Sequence, residues 1–202
     1  MAEASKIDKK EFLINIAIDL FAKKGFSVTT MRDIAKAADV NLALIYYYFK
    51  DKEELLYYIV ERSSRELVNT LSEIQSRMAD PFECLKEMIT SQVLFSCKSW
   101  KETKLITIEG DHLHDERKKD CENLQRQVYD IYKVQLQRLK ESGYLSDVNL
   151  TVVNFTIFGM INWFYRWYKE GKDLSEKDVA NEMVKILQCG ILTKESSKDG
   201  CW

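Results

Sequence analysis

The chain has 202 residues, enough for one or two domains with a buried core. Seven Gly and one Pro leave few interruptions, which excludes a sheet-rich fold built on many tight turns and points to long helices. A net charge of −2, with 31% charged and 46% hydrophobic residues, suits a soluble helical protein; residues 1–52 nevertheless hold nine Lys or Arg against seven Asp or Glu, a small positive surplus on that segment.

The N-terminus, Met1 to Phe12, has no apolar core of a secretion signal, so a cytoplasmic location is expected. Phe12, Leu13, Ile16, Ala17, Leu20 and Phe21 recur at helical spacing and predict a first helix that Gly25 ends. Thr30-Met31-Arg32-Asp33 is a capping box, in which hydroxyl and carboxylate satisfy amides left free at a helix start. Asp51-Lys52-Glu53-Glu54 and Ser175-Glu176-Lys177-Asp178 repeat the device, and Asp80-Pro81 sets a cap before a proline at the first helical position. Long helices are expected over 52–78, 82–99, 115–142, 148–169 and 177–192, with a short one over 101–109. The 115–142 helix carries a stripe through Leu124, Val128, Ile131, Gln135 and Leu139. The apolar run from Val148 to Tyr168 holds one charge, Arg166, and several polar residues; it reads as an interface helix and not a membrane span. Cys84, Cys97, Cys121, Cys189 and Cys201 are odd in number and widely spaced, which predicts reduced thiols and no zinc site.

The informative element is a short helix over 30–38, a turn at Asp39-Val40-Asn41, and a short helix over 42–49. Two helices joined by so few residues cross steeply, as in a helix-turn-helix. Ala35 and Ala38 are small enough for the crossing, Ile34, Val40 and Ile45 can form its core with Phe21 and Phe49, and Asn41 can cap the second helix. Leu42, Ala43, Leu44, Tyr46 and Tyr47 cannot all be core on so short a helix, and apolar groups and phenols suit thymine methyls and phosphates in the major groove. Lys9, Lys10, Thr30, Arg32, Lys50 and Lys52 surround it as backbone anchors. On residues alone, a buried aromatic helix in a generic bundle is an equal reading.

The runs Phe21-Ala22-Lys23-Lys24-Gly25-Phe26, Thr29 to Ala35, Val40-Asn41 and Ile45 to Leu55 resemble the DNA-binding domain of the TetR family over residues 8–58. That resemblance implies an all-α fold: a three-helix N-terminal domain with a helix-turn-helix (1–52) and a helical ligand-binding and dimerisation domain (53–202). It implies contact positions at Thr30 and Arg32, a recognition helix bearing Asn41, Leu42, Ala43, Leu44, Tyr46 and Tyr47, and Lys52 at a phosphate-binding helix start. Leu42 and Leu44 stand where the family often has a basic and a small hydroxyl residue, so base preference does not carry over.

Two recognition helices must sit about 34–36 Å apart on a palindrome, so dimerisation falls to other helices. Val153, Phe155, Phe158, Ile161, Phe164 and Trp167 are the expected interface. Gly159 to Tyr168, followed by Gly171 and Leu174-Ser175, resembles TetR relatives that sense acyl-CoA thioesters. Arg166, one turn beyond Asn162 and beside Trp163, then either pairs with ligand phosphate and stacks on adenine or bridges a carboxylate across the dimer. Met88, Phe95, Trp100, Ile106, Tyr129 and Tyr132 are the expected lining for an acyl tail. Asp111-His112-Leu113-His114-Asp115 with Cys121 is weighed as a metal or acid–base cluster, but its spacing lacks a helical pair, and a solvated corner is the expectation. No paired nucleophile and base and no phosphate-cradling glycine loop occur, so neither enzyme nor cofactor is expected. The expected function is a ligand-released repressor of palindromic operator DNA, acting as a homodimer with no membrane partner. A multidrug-sensing repressor of efflux genes and a helical protein-binding module are the alternatives.

Overall fold

The structure, a computed structural model, describes residues 2–168 and 174–191, with side chains from Lys9 onward except Phe164, Tyr165 and Ile191. Its elements are α1 (Ala2–Lys24), α2 (Met31–Ala37), α3 (Leu42–Tyr48), α4 (Lys52–Arg77), α5 (Pro81–Lys98), α6 (Trp100–Lys104), α7 (Asp115–Glu141), α8 (Leu150–Asn162), α9 (Phe164–Trp167) and α10 (Glu176–Ile191). A π-helical turn over Leu105–Glu109 and a 3₁₀ turn over Gly110–His112 continue α6. The fold is all-helical, as the breaker count requires. No helix among the described residues is long and apolar enough to cross a membrane.

Helix ends follow the capping signals. Thr30 and Asp33 exchange side-chain and backbone bonds at the start of α2, and Ser175 and Asp178 do so before α10. Asp80 accepts from the amides of Phe82 and Glu83 with Pro81 at the first helical position of α5. Gly25 closes α1 at φ +94, a left-handed conformation natural to glycine.

The chain forms two compact units. The first gathers residues up to 64 together with 101–123; the second gathers 65–100 with the rest of the chain. The first is built on Leu13, Ile14, Ala17, Phe21, Ile34, Ile45, Phe49, Leu55 and Ile59, with Leu105 and Cys121 from the inserted segment. Ile106 packs on this core, not with Met88 and Tyr132, so it is not part of an acyl cavity with them. On α1, Phe12 is exposed, contrary to the expected apolar face, while Ile14 and Ile18 complete that face. The second unit centres on Leu71, Cys84, Met88, Val93, Tyr132, Leu136, Leu139, Ile157, Ile161, Ala180 and Leu187. Gln135, on the apolar stripe of α7, is buried and donates to the Pro81 carbonyl at 2.6 Å.

The predicted helix over 148–169 is two helices. Trp163 caps α8, and α9 begins at Phe164, so Asn162 and Arg166 do not share a helical face. Gly159 and Asn162, both poor helix formers, weaken the helix before this break. Of the expected interface residues, Val153 and Ile161 are buried inside the second unit and Phe158 packs against its core, whereas Phe155 and Trp167 are exposed. An amphipathic stripe accounts for the first three; a second apolar face accounts for the others. The side chain of Phe164 lies outside the described residues, as do Gly171 and Cys201. Cys84, Cys97 and Cys121 are buried thiols, but Cys189 is disulfide-bonded, which corrects the expectation of thiols throughout.

Candidate DNA-binding face

The turn between α2 and α3 is built from its own backbone. The Val40 amide donates to the Ala35 carbonyl at 3.0 Å and the Asp39 amide to that of Lys36 at 3.3 Å, with Asp39 left-handed at φ +52. This paired arrangement ends α2 sharply and redirects the chain. The Asn41 Oδ1 then accepts from the Leu44 amide at 2.8 Å and starts α3. Ile34, Ala35, Ala38, Ile45 and Phe49 are buried where the two helices meet, and Val40 is half-buried against them.

Locking Ile45 and Phe49 inward forces the other face of α3 outward. Tyr46 is 51% and Tyr47 64% exposed, with Ala43 and Asn41 also exposed and Leu44 half-buried. The Tyr47 ring stands edge-on to Tyr48 at 5.0 Å, which holds it upright. Leu42 packs partly on the core, so little of it is presented. The exposed Thr30 and Arg32 stand at the start of α2, which packs on α3, the exposed Lys50 follows α3, and Lys9 is exposed on α1. These give a phenol- and methyl-bearing ridge flanked by cations, chemistry that matches base edges and phosphates.

Two expected anchors are turned inward. The Lys10 ammonium lies 4.0 Å from the Tyr58 ring centroid, a cation–π contact. The Lys52 ammonium donates to the carbonyls of Phe26 at 2.7 Å and Ser27 at 3.2 Å and lies 4.2 Å from the Phe26 ring. A cation at a helix start is disfavoured by the dipole, and folding back satisfies it on main-chain oxygens. Burial pushes its pKa down, against the opposing pull of Glu109.

The Asp33 carboxyl is held below its ordinary value by hydrogen bonds from the Thr30 side chain and then from the Thr30 amide. A depressed folded value contributes stability that is full above the ordinary carboxylate range and is lost as pH falls through the folded value. Asp33→Asn should therefore melt lower than wild type at neutral pH and show a shallower loss on acidification. Parallel acid limbs in melting curves would remove this cap from the pH response.

The inserted segment supplies residues that sequence reasoning missed. Glu109, 8% exposed, accepts from the Phe26 amide at 3.3 Å, and its other oxygen lies 3.3 Å from His112 Nε2. His112 stacks on Phe26 with centroids 5.1 Å apart and reaches the Ser27 hydroxyl at 3.3 Å. His114 contacts Glu53 through its amide, Arg117 bonds Asp51 at 3.0 Å, and Lys104 holds the Ala22 carbonyl. The histidine corner is thus a clasp on the loop between α1 and α2 and on the start of α4. Its partners lie 61 to 85 residues away in sequence.

The expected effector residues spread over the second unit. Tyr132 is fully buried, Phe95 and Tyr129 are half-buried, and Trp100, Asn162, Trp163 and Arg166 are exposed. The Arg166 guanidinium stacks on Trp163 at 4.7 Å. A shallow groove between α5 and α10, lined by Phe82, Leu85, Lys86, Ile89, Val184, Leu187 and Gln188, includes none of them. Val152, Phe155, Trp163, Trp167 and Ile186 are large apolar side chains left exposed from α8 to α10.

Residues 13–59 match the family described as bacterial regulatory proteins, tetR family, and residues 78–191 match that described as tetracyclin repressor-like, C-terminal domain. The chain is 25% identical over 191 residues to the HTH-type transcriptional repressor KstR2 of Rhodococcus jostii (strain RHA1), a match spanning 93% of each. The solved ketosteroid transcriptional regulator KstR2 of Mycobacterium tuberculosis superposes with a TM-score of 0.87 at 23% identity, covering 92% of this chain and 96% of that one. AibR, solved in complex with isovaleryl coenzyme A and operator DNA, superposes with a TM-score of 0.79 at 24% identity, covering 86% and 95%.

Proposed function

Because the chain belongs to the TetR family of bacterial transcriptional regulators, we propose that it is a repressor that binds palindromic operator DNA as a homodimer and releases it when an acyl-CoA enters the second unit. The first unit, residues up to 64 with 101–123, carries operator reading, and the second unit carries effector binding and dimerisation. The observation that supports this most is the split on α3: Ile45 is 0% exposed and Tyr47 64%. A helix pinned by one face and bare on the other, with aromatic hydroxyls outward, suits a major groove. Tyr46, Tyr47, Ala43 and Leu44 read bases; Lys9, Thr30 and Arg32 take phosphates; Asn41 caps the helix and orients it.

The exposed Val152, Phe155, Trp163, Trp167 and Ile186 form the surface that a second copy covers, since large apolar patches are uncommon on monomers. The Arg166–Trp163 stack supplies a planar cation for adenine and phosphate. The buried polar side chains of the second unit among the described residues are Gln92, Ser96, Gln135 and Asn154. These are uncharged, which suits a thioester-linked tail better than a cationic drug. Effector binding shifts the population toward states in which the paired recognition helices no longer match successive grooves, and it must favour those states by its own affinity.

A mobility-shift assay on DNA upstream of the protein's own gene tests this. A retarded band that weakens steeply with salt is expected, because phosphate contacts release counterions. Isovaleryl-CoA and longer acyl-CoAs should release the band, and a cationic dye should not. Failure to bind any fragment of that DNA at low salt would sink the repressor reading.

A further inference from the structure

Three polar atoms in the second unit are buried without a hydrogen-bond partner: the Tyr132 hydroxyl, Oε1 of Gln92 and Oδ1 of Asn154. Their side chains, on α7, α5 and α8, are 0%, 3% and 0% exposed. Gln135 and Arg138 of α7 bond the carbonyls of Pro81, Met78 and Ala79, and Tyr132, a turn earlier, neighbours Cys84, a turn into α5. The two helices therefore run antiparallel. Asn154 donates Nδ2 to the Tyr129 carbonyl at 3.0 Å, the next turn of α7. Gln92 lies two turns beyond Cys84 on the same face of α5, through Met88. The three groups thus mark out roughly 12 Å along one seam, at ~1.5 Å per helical residue.

An unsatisfied buried group is costly, and native cores hold few. Here three line one seam of the core, from three helices. Their polarity is specific. The Asn154 amide is oriented by its bond to Tyr129 and offers an acceptor; Gln92 offers another; Tyr132 offers a hydroxyl. The neighbouring Met88, Val128, Leu136, Ile157 and Phe158 can donate nothing. A plain hydrocarbon occupant would leave both acceptors unmet.

We propose that Tyr132 and Asn154, with Gln92 further along the same seam, form the polar side of the effector cavity, and that the effector carries a hydroxyl group on an apolar body. This rests on the reading that the second unit binds an effector. The hydroxyl donates to the Asn154 amide oxygen and accepts from the Tyr132 phenol, whose ring meets Phe158 one turn after Asn154 on α8, while apolar side chains surround the remainder. Opening the seam between α5, α7 and α8 is the conformational step that admits it.

Melting curves and calorimetric titrations of the full-length protein test the subsite. Tyr132→Phe removes only the unpartnered hydroxyl and should melt about 2–4 °C higher than wild type; a lower melting temperature would show that the group is already satisfied and would overturn the proposal. Two matched probe pairs follow: β-hydroxyoctanoyl-CoA with octanoyl-CoA, and cyclohexanol with methylcyclohexane. Each hydroxylated probe should bind about tenfold more tightly than its partner. Tyr132→Phe combined with Asn154→Leu should erase that difference and leave the plain partner bound. If no thioester binds but cyclohexanol outdoes methylcyclohexane, the acyl-CoA reading fails and the subsite stands. If neither hydroxylated probe outdoes its partner, the subsite is overturned, and the acyl-CoA reading is decided by octanoyl-CoA alone.

Discussion

Tyr47→Ala should bind operator DNA roughly tenfold to a hundredfold more weakly than wild type, the range for an aromatic contact worth about 1–3 kcal/mol, and yet melt at the same temperature. The side chain is 64% exposed and contributes little to the core. Ile45→Ala, two residues away and fully buried, should do the opposite first, costing about 2–5 kcal/mol of stability and losing DNA binding only as the unit unfolds. Fluorescence anisotropy alongside thermal melting separates the two. If Tyr47→Ala retained full affinity for every operator fragment, α3 would not be the reading element.

Glu109→Ala should weaken operator binding about tenfold and lower stability by about 1–3 kcal/mol, although Glu109 lies outside the helix-turn-helix. Its carboxylate is the acceptor for the Phe26 amide and the neighbour of His112 and Lys52. Without it, a buried amide loses its partner and the loop that precedes α2 loses its clasp. Glu109→Gln keeps an oxygen for Phe26 and should recover most of the stability. Unchanged affinity in the alanine variant, measured at matched temperature and salt, would show that the clasp does not position the reading helices.

Local chemistry made the first unit's helices legible. Thr30, Asn41 and Asp51 cap within four residues of themselves, and the small Ala35 and Ala38 announce a close crossing, so α2, the turn and α3 follow from neighbours alone. Long-range pairing left no such signal. His112 and His114 read as a solvated corner, and Glu109 as the end of a short helix, because nothing in their own stretch names Phe26 or Glu53 as a partner. The apolar run at Val148–Tyr168 showed its hydrophobicity but not its division into inward Val153 and Ile161 and outward Val152 and Phe155; two apolar faces on one helix defeat a single-stripe reading. The charge of Lys52 suggested a phosphate anchor, whereas the dipole at its own helix start sends the ammonium back to main-chain carbonyls.

The widened turn at Leu105–Glu109 constrains how this protein can change length. A π-turn holds one residue more than the α-helical path it replaces. A further residue inserted there would exceed what the turn already absorbs and would swing Glu109 by about 100° around the axis, carrying its carboxylate off Phe26. Descendants of this sequence should therefore lose a residue at Leu105–Glu109 more readily than they gain one.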